Sequence, residues 1–307
     1  MYIIDFIKNL VKKNNIGIMI WLVLNTVLMT VVLGVCFANA FPPEVPEFVS
    51  YFIGAVVYLI TVVIALSPVG EFILRLQTGC RKIKRQDYLD RLTPIFNEVY
   101  SKAKQTNPEL PNNIQFYMSN DGEPNAFATG RRTVCLTEGM MKYSDEEIKA
   151  VLGHEFGHLA HKDTDAILVV SVGNLIVSAI FVIWRVFFNV FARIMNICIG
   201  IASDCFGAAF AGIITRVFVD WILVLVMKLW TKLGALLCLH ASRKNEHKAD
   251  EYSFNMGYGN TLCAFLDHLD PSSSSTNGLW ATLNSSHPAT HDRIAHLQEL
   301  GCNYRKY

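Results

Sequence analysis

The chain has 307 residues, and its 27 Lys and Arg against 26 Asp and Glu give a formal net charge of only +1. Hydrophobic residues make up 52% of it and charged residues 17%, against about 25% charged in an ordinary soluble domain. The mean hydropathy is +0.31. These values exclude a disordered chain and a nucleic-acid binder that depends on bulk positive charge.

Two long apolar runs, residues 16–41 and 48–66, predict a pair of transmembrane helices near the N-terminus. Each run is long enough to cross a hydrocarbon core of about 30 Å. The connector between them is acidic, whereas basic residues flank the pair on both outer sides, which places both flanks in the cytoplasm. A buried hairpin in a large soluble core is the alternative. The basic residues are Lys8, Lys12, Lys13, Arg75, Arg81, Lys82, Lys84 and Arg85.

The segment that follows is polar enough to be soluble. Apolar residues at helical spacing predict a helix over 88–105. Short strands are predicted at 114–118, 125–129 and 133–136. Ser144 with Glu147 three residues later is a capping box, so a helix should begin at Asp145 and run to about residue 162.

A second hydrophobic region predicts two further spans at 166–191 and 217–239. The apolar stretch between them, 194–214, is rich in Gly and Ala and is interpreted as re-entrant or interfacial. Beyond it the chain is soluble again and ends with a helix over 289–300. The expected organisation has four parts. They are an N-terminal hairpin (1–75), a first soluble part (76–165), a second membrane hairpin (166–240) and a second soluble part (241–307).

The sequence His154-Glu155-Phe156-Gly157-His158 is an HExxH motif inside the predicted capped helix. Two imidazoles at positions i and i+4 lie on one helical face and can bind one Zn²⁺. Glu155 can take a proton from a metal-bound water, whose pKa the metal lowers toward about 7. The alternative is a pair of surface histidines on a helix.

A catalytic zinc site needs a third protein ligand. Glu246 and Asp250 lie four residues apart in SRKNEHKAD, so both can face one site from a second helix. One carboxylate would complete a His₂Glu site, and the other can accept a hydrogen bond from a ligand imidazole. On spacing alone, this segment could equally be a charged helix face.

These motifs resemble those of the HtpX-like membrane metalloproteases of the M48 type, whose wider group includes the CAAX prenyl protease Ste24. HEFGHLAHKD and SRKNEHKAD carry the resemblance, and the segments NAFATG from Asn125 and HPATHDRI from His287 support it. The order of spans and motifs also matches over nearly the whole chain. Where the family often has an Arg just before the ligand Glu, this chain has Asn245.

The resemblance implies one Zn²⁺ per chain, bound by His154, His158 and Glu246. It implies that Glu155 is the general base and acid. On this basis the chain is expected to be an α-helical integral membrane protein. It would have about four transmembrane helices and an α+β zincin-like (gluzincin) catalytic domain, whose two parts are residues 76–165 and 241–307.

The resemblance implies roles for four more residues. Asp250 and Arg293 would support the metal ligands. Asn125 would lie on a strand edge that holds the substrate backbone, and His287 would stand near the developing oxyanion. Without the resemblance, Asn125 reads as a turn residue and His287 as a residue before a helix that starts at Pro288.

The ligands flank the second hydrophobic region, so an even number of crossings must separate them. Both flanks of the second hydrophobic region therefore lie on one side of the membrane. The basic residues around the first hairpin identify that side as the cytoplasm, so the site is expected on the cytoplasmic face of the inner membrane. The metal is expected on the order of 10–15 Å from the bilayer surface. The expected substrates are membrane proteins or unfolded polypeptides, and the expected partners include the lipid bilayer but no nucleic acid. The oligomeric state stays open.

Three other functions are compatible with parts of the sequence. A CAAX-type protease would act on lipidated C-termini, but a Ste24-like chamber uses more spans than four. A catalytically silent scaffold of the same fold would usually have lost Glu155, which is present here. A transporter with a metal-sensing domain finds little support, because few charges, such as Asp220, lie in the predicted spans.

Overall fold

The computed structural model describes residues 6–8, 16–38, 42, 44–162, 164–200, 206–269 and 290–305. These residues are mostly helical and include one small sheet. A single helical turn at Asp165–Ile167 and a π-helical segment at Leu168–Gly173 lead into the sixth helix. Nine helices of ten or more residues are described: α1 (Ile16–Ala38), α2 (Phe48–Ala65), α3 (Pro68–Gln77), α4 (Gln86–Thr106), α5 (Asp145–His161), α6 (Asn174–Gly200), α7 (Phe206–Asn255), α8 (Gly259–His268) and α9 (Thr290–Glu299).

Three helical segments are long and apolar enough to cross a membrane among the residues described, namely Gly17–Ala38, Phe48–Ala65 and Asp165–Phe187. They correspond to the first three predicted spans. The fourth, at 217–239, lies within the long helix α7 and stays a prediction. Helix α6 continues past residue 191 to Gly200 because no proline interrupts the apolar sequence there. Residues 201–205 of the expected connecting segment lie outside the described residues.

The chain divides into two compact units, each assembled from separate stretches of sequence. The first unit comprises Met1–Ile18, Leu66–Leu168 and Ala235–Tyr307. The second comprises Met19–Ala65 and Val169–Gly234, and therefore contains most of the hydrophobic helices.

The sheet of the first unit has three strands, β1 (Gln115–Ser119), β2 (Ala126–Thr129) and β3 (Thr133–Thr137). Their order is β1-β3-β2, so β2 is an edge strand. β3 pairs in parallel with β1 and antiparallel with β2. All five residues of β3 are buried, since β3 is the central strand and helices cover it. The three predicted strands are confirmed to within one residue at their ends.

A hydrophobic core in the first unit joins the sheet to α4, α5, α8 and α9. Phe156 of α5 packs against Phe96 and Tyr100 of α4, with ring centroids 5.6 Å apart in both contacts. The predicted capping box starts α5: the Ser144 hydroxyl accepts from the Glu147 N–H, and the Glu147 carboxylate accepts from the Ser144 N–H. This core fixes α5, the helix that carries HExxH.

A buried ion pair anchors the turn between β2 and β3. Arg131 donates two hydrogen bonds to the carboxylate of Asp165, just beyond α5, at 2.9 and 2.5 Å. The Arg131 N–H donates to Glu71 of α3 at 2.9 Å. Gly130 has φ +61° and packs so closely that a Cβ there would lie 2.4 Å from the Glu71 Cγ. The edge strand is thereby held to α3 and to the C-terminal side of α5.

Buried polar side chains link four hydrophobic helices of the second unit. Asn25 of α1 donates to the Tyr58 hydroxyl of α2 at 2.8 Å, and it exchanges hydrogen bonds with Asn174 of α6 at 3.0 and 3.1 Å. The indole N–H of Trp230 in α7 also donates to Asn25, at 2.9 Å. Interhelical hydrogen bonds of this kind are a common means of association between apolar helices.

We predict that Asn25→Leu lowers the unfolding free energy by about 1–2 kcal/mol, because it leaves the polar groups of Tyr58, Asn174 and Trp230 without this partner. Thermal unfolding of the detergent-solubilised protein measures the effect. Val27→Leu, at a side chain 58% exposed on the same helix, is the control and should match wild type. Equal stability of all three proteins would contradict the prediction.

Candidate metal and catalytic site

Three side chains from two helices converge on one point of the first unit. His154 and His158 lie one turn apart on α5, and Glu246 comes from α7. Their ligand atoms lie within 4.8 Å of one another. The two imidazole Nε2 atoms are 3.1 Å apart. The Glu246 carboxylate lies 3.4 Å from each of them.

These distances fit a small tetrahedral cation. Ligand atoms at about 2.0–2.1 Å from a zinc ion lie roughly 3.3–3.4 Å from one another. The donor set of two imidazoles and one carboxylate is the one that a three-ligand catalytic zinc site uses. The residues present therefore fit Zn²⁺.

Close helix packing allows Glu246 to reach the histidines. Gly157 lies between the two histidines in the motif, where α7 packs closely against α5. A Cβ at Gly157 would lie 2.7 Å from the Ala249 Cα. The glycine of HEFGH and the alanine of HKAD thus permit a contact that larger residues would prevent.

Asp250 orients the first ligand. Its carboxylate lies 2.8 Å from the His154 Nδ1 and is fully buried. With the Nδ1 proton donated to Asp250, the Nε2 of His154 carries the lone pair that faces Glu246 and His158.

Arg293 of α9 compensates the charge of Asp250 through two hydrogen bonds, from Nε at 2.8 Å and from Nη2 at 2.5 Å. Its Nη1 lies 3.8 Å from Glu246. Burial would raise the pKa of Asp250, but Arg293 and His154 hold that pKa well below its usual range. Burial and Arg293 oppose protonation of His154, yet the carboxylates of Asp250 and Glu246 outweigh them and raise the pKa of His154. The Arg293–Asp250 pair is therefore ionised.

Glu155 lies beside the edge strand. It is 3% exposed, and its Oε2 accepts a hydrogen bond from the Ala128 N–H at 2.6 Å. The Asn125 side chain bonds locally: its Oδ1 accepts from the Ala126 N–H at 2.8 Å. The backbone of Asn125 bonds to Thr137, through N–H to the side-chain oxygen and through C=O to the Thr137 N–H.

The structure thus brings seven of the eight predicted site residues into one region, namely Asn125, His154, Glu155, His158, Glu246, Asp250 and Arg293. The eighth, His287, lies outside the described residues. Sequence reasoning missed the Ala128 amide. The alternation of paired and outward-facing residues along an antiparallel strand was the signal that could have found it.

Comparison with known proteins gives consistent similarities. The sequence model of the family described as Peptidase family M48 matches residues 89–301 of this chain. A protease HtpX homolog of Methanopyrus kandleri is 30% identical over 240 residues, which cover 70% of this chain and 68% of that protein. One of Tropheryma whipplei is 29% identical over 74% of this chain and 77% of its own length. One of Campylobacter hominis is 28% identical over 67% of this chain and 74% of its own length.

Among solved structures, the crystal structure of S. mikatae Ste24p is similar at 20% identity and a TM-score of 0.40. The match covers 93% of this chain and 66% of that one.

We predict that Glu246→Gln weakens zinc binding by about 100-fold or more, because even residues that only support a ligand typically contribute about 10–100-fold. Metal content after dialysis against graded zinc buffers measures it. Glu251→Gln, at an exposed carboxylate on the same helix, should bind zinc as wild type does. Equal losses in both variants would show a general effect of charge and not a lost ligand.

Proposed function

Since the chain belongs to peptidase family M48, we propose that this membrane protein is a zinc endopeptidase that hydrolyses peptide bonds of membrane or misfolded proteins at the cytoplasmic face. The observation that carries the proposal is the convergence of His154, His158 and Glu246 beside the carboxylate of Glu155. This arrangement lies against the free edge of a sheet, where an extended polypeptide can bind.

His154, His158 and Glu246 would hold one Zn²⁺ per chain. When bound, the ion supplies Lewis-acid polarisation of a carbonyl oxygen and a water acidic enough to act near neutral pH. The protein's own part is to orient the ligand imidazoles. Asp250 performs this task for His154 by accepting from Nδ1, while Arg293 keeps the Asp250 carboxylate ionised and fixed.

Glu155 is proposed as the group that takes a proton from the attacking water and passes it to the leaving amine. It directly follows a metal ligand in sequence and lies on the same buried helix. The Ala128 N–H holds one carboxylate oxygen, which fixes the orientation of the carboxylate. A positioned base of this kind contributes typically about 10²–10⁴-fold to the rate.

The substrate is proposed to bind along β2, with Asn125 at the N-terminal end of that edge. Main-chain hydrogen bonds to an edge strand bind extended peptides with little dependence on sequence, which suits a protease for misfolded proteins. His287 is proposed to stand near the developing oxyanion. That assignment rests on the family's motif and not on an observed contact.

The cytoplasmic, inner-membrane location is proposed from charge. Basic residues flank the first hairpin on both outer sides, and its connector carries none. Because the ligands on α5 and α7 meet at one site, the hydrophobic region between them must return to the side where it began. A second membrane hairpin, with 217–239 as the fourth span, satisfies that condition.

Helix α3 supports action close to the bilayer. It begins three residues after α2 ends, so it starts where the second span leaves the membrane. One face, with Glu71 and Leu74, is buried in the first unit. The opposite face presents Val69, Phe72 and Leu76, which are 56%, 53% and 64% exposed. We propose that this stripe lies in the lipid interface, as amphipathic helices of this kind do.

The proposed function predicts that Glu155→Gln reduces the cleavage of casein by about 10²–10⁴-fold while zinc stays bound. Detergent-purified protein with zinc supplied is assayed by gel and by metal analysis. Glu146→Gln, at an exposed position on the same helix, should cleave as wild type does.

Equal cleavage by the Glu155 variant and wild type would exclude the assigned base. No cleavage by either, with zinc bound, would favour a narrow-specificity enzyme of the CAAX type or a silent scaffold.

The location of α3 predicts that the triple substitution Val69→Ser, Phe72→Ser and Leu76→Ser selectively impairs cleavage near membranes. Proteoliposomes should lose about ten-fold or more of their activity on a substrate cut beside its transmembrane segment, since each buried apolar side chain contributes about 1.5–3 kcal/mol. Soluble casein should be cleaved within about two-fold of wild type, because these three side chains are exposed on the face of α3 opposite its buried residues.

The control for the triple substitution replaces the same residues with Ile, Leu and Met, which keeps the stripe apolar and should preserve both activities. Equal losses on the two substrates would indicate a folding defect, and no loss on either would exclude a lipid contact at this face.

A further inference from the structure

A second pair of histidines joins two helices of the first unit. His247 lies on α7 and His296 on α9, and both side chains are half-buried. Their imidazole rings are in contact, with centroids 4.6 Å apart and an angle of 63° between the ring planes. The proposed peptidase mechanism uses neither residue, so the pair calls for an explanation of its own.

The helices hold the two rings together through an adjacent ion pair. Asp250 of α7 and Arg293 of α9 are joined by two hydrogen bonds. His247 lies three residues before Asp250, and His296 lies three residues after Arg293. Residues three apart on a helix share a face, so the histidines meet one turn beyond the ion pair on two antiparallel helices. Their positions are therefore set by helix packing that the ion pair already stabilises.

The spacing of the rings is that of a metal-binding pair. Two imidazoles bound to one tetrahedral ion, with metal–nitrogen distances of about 2.0–2.1 Å, have ring centroids about 5 Å apart. The rings of the proposed zinc ligands His154 and His158 have centroids 4.7 Å apart. The rings of His247 and His296 differ from that separation by only 0.1 Å, since their centroids are 4.6 Å apart.

One nitrogen of this pair lacks a partner. The Nδ1 of His247 is buried and forms no hydrogen bond with any described residue. His296 does not satisfy it, although the two rings are in contact. A buried polar atom without a partner is unfavourable, and each such atom in a folded protein requires an explanation. An ion bound to this Nδ1 and to a nitrogen of His296 would supply the missing partner.

The chemistry of the pair selects the kind of ion. Imidazole nitrogens suit divalent transition metals such as Zn²⁺, Ni²⁺ and Cu²⁺, whereas Mg²⁺ and Ca²⁺ prefer oxygen ligands. Because both side chains are only half-buried, an ion can reach them from solvent. With two protein ligands, water completes the coordination, so binding should be weaker than at a site with three protein ligands.

We propose that His247 and His296 form a second metal site, which binds one Zn²⁺ and braces α9 against α7. The ion would link the two helices one turn from the pair of Arg293 and Asp250, and so would stabilise the docking of the helix that supplies Arg293. Since Asp250 orients His154, zinc bound at the second site would reinforce the support of the first. The second site itself does not require the chain to be a peptidase.

The first test counts the zinc ions bound to the full-length protein in detergent. Equilibrium dialysis uses graded zinc buffers up to about 100 µM, followed by elemental analysis. Wild type should bind one ion tightly and a second at higher free zinc. His247→Phe and His296→Phe keep an aromatic ring but lose the ligand nitrogens. Each should retain the first ion and bind the second at least about 100-fold more weakly.

The matched control is His291→Phe, at an exposed histidine on α9. It should bind both ions as wild type does, because His291 lies outside the proposed pair. Loss of the second ion in this control would overturn the site, since the second ion would then depend on histidines in general.

The second test measures amide hydrogen exchange in α9 with the first site already filled. Zinc at about ten times the dissociation constant of the second site should slow exchange in α9 about ten-fold, because an ion that binds only the docked helix reduces the population of the open form by mass action. His296→Phe should show no such slowing, and His291→Phe should match wild type. Unchanged exchange in wild type with the second ion bound would overturn the brace.

The remaining outcomes also decide the proposal. A single ion in wild type over the whole zinc range, or a second ion retained by His296→Phe, would overturn the second site. His247→Phe changes the neighbour of the proposed ligand Glu246. If it loses both ions, His296→Phe is the deciding variant, since His296 is not adjacent to a ligand in sequence. None of these measurements uses cleavage, so failure of the second site and failure of the proposed peptidase function are distinguishable.

Discussion

The hydrogen bonds that join Arg293, Asp250 and His154 determine whether the buried site can exist at all. Three carboxylates, Glu155, Glu246 and Asp250, lie at 5% exposure or less. Burial of so much negative charge is strongly unfavourable unless it is compensated. The single guanidinium of Arg293 leaves two negative charges when the imidazoles are neutral, and a divalent cation supplies the matching charge. The charge balance and the ligand distances therefore favour the same kind of ion.

This requirement explains why distant parts of the chain must come together. The histidines lie on α5, the carboxylates of Glu246 and Asp250 on α7, and Arg293 on α9. Over a hundred residues separate α5 from α9 in the sequence, and most of the second unit is inserted between them. The Gly157–Ala249 contact brings α7 close, and the bidentate pair between Arg293 and Asp250 holds α9 to it. The first unit can therefore complete its fold only when the segments that follow the hydrophobic region, α7 and α9, pack against α5.

Local signals predicted much of the fold. The capping box at Ser144 marked the start of α5, and alternating apolar residues located the three strands. Two helices were missed for physical reasons. α3 is only ten residues long and follows an apolar span, so its own pattern merges with that of the span. α8 is equally short, and its apolar side chains serve a core that the local sequence does not identify.

In the candidate site, too, local features could be predicted from the sequence and contacts between distant residues could not. The HExxH motif predicts two ligands from local sequence, because both histidines lie within about one helical turn. The third ligand lies 88 positions after His158, so no local spacing relates it to the motif. Spacing alone did not distinguish Glu246 from Asp250, and the assignment of Glu246 as the ligand came from the family resemblance. In the structure Glu246 faces both histidines, and Asp250 lies against the Nδ1 of His154. The buried pair of Arg131 and Asp165 had no sequence signal, since the two residues share no motif and meet only through the β2–β3 turn.

Side chains of the protein itself occupy the outward-facing amides of the edge strand β2. The outward amides of β2 at Ala126 and Ala128 are held by the side chains of Asn125 and Glu155. An unpaired edge is a site of unwanted strand pairing, and these side chains occupy the two donors that such pairing would use. A substrate carbonyl that accepts a hydrogen bond from the Ala128 N–H must replace the Glu155 carboxylate as the acceptor. Binding of a peptide in this way would release the carboxylate from the strand. Pairing through the carbonyl groups of the same residues leaves the bond to Glu155 intact. The geometry of β2 thus couples the protection of the edge to the orientation of the catalytic carboxylate, because the same hydrogen bond serves both.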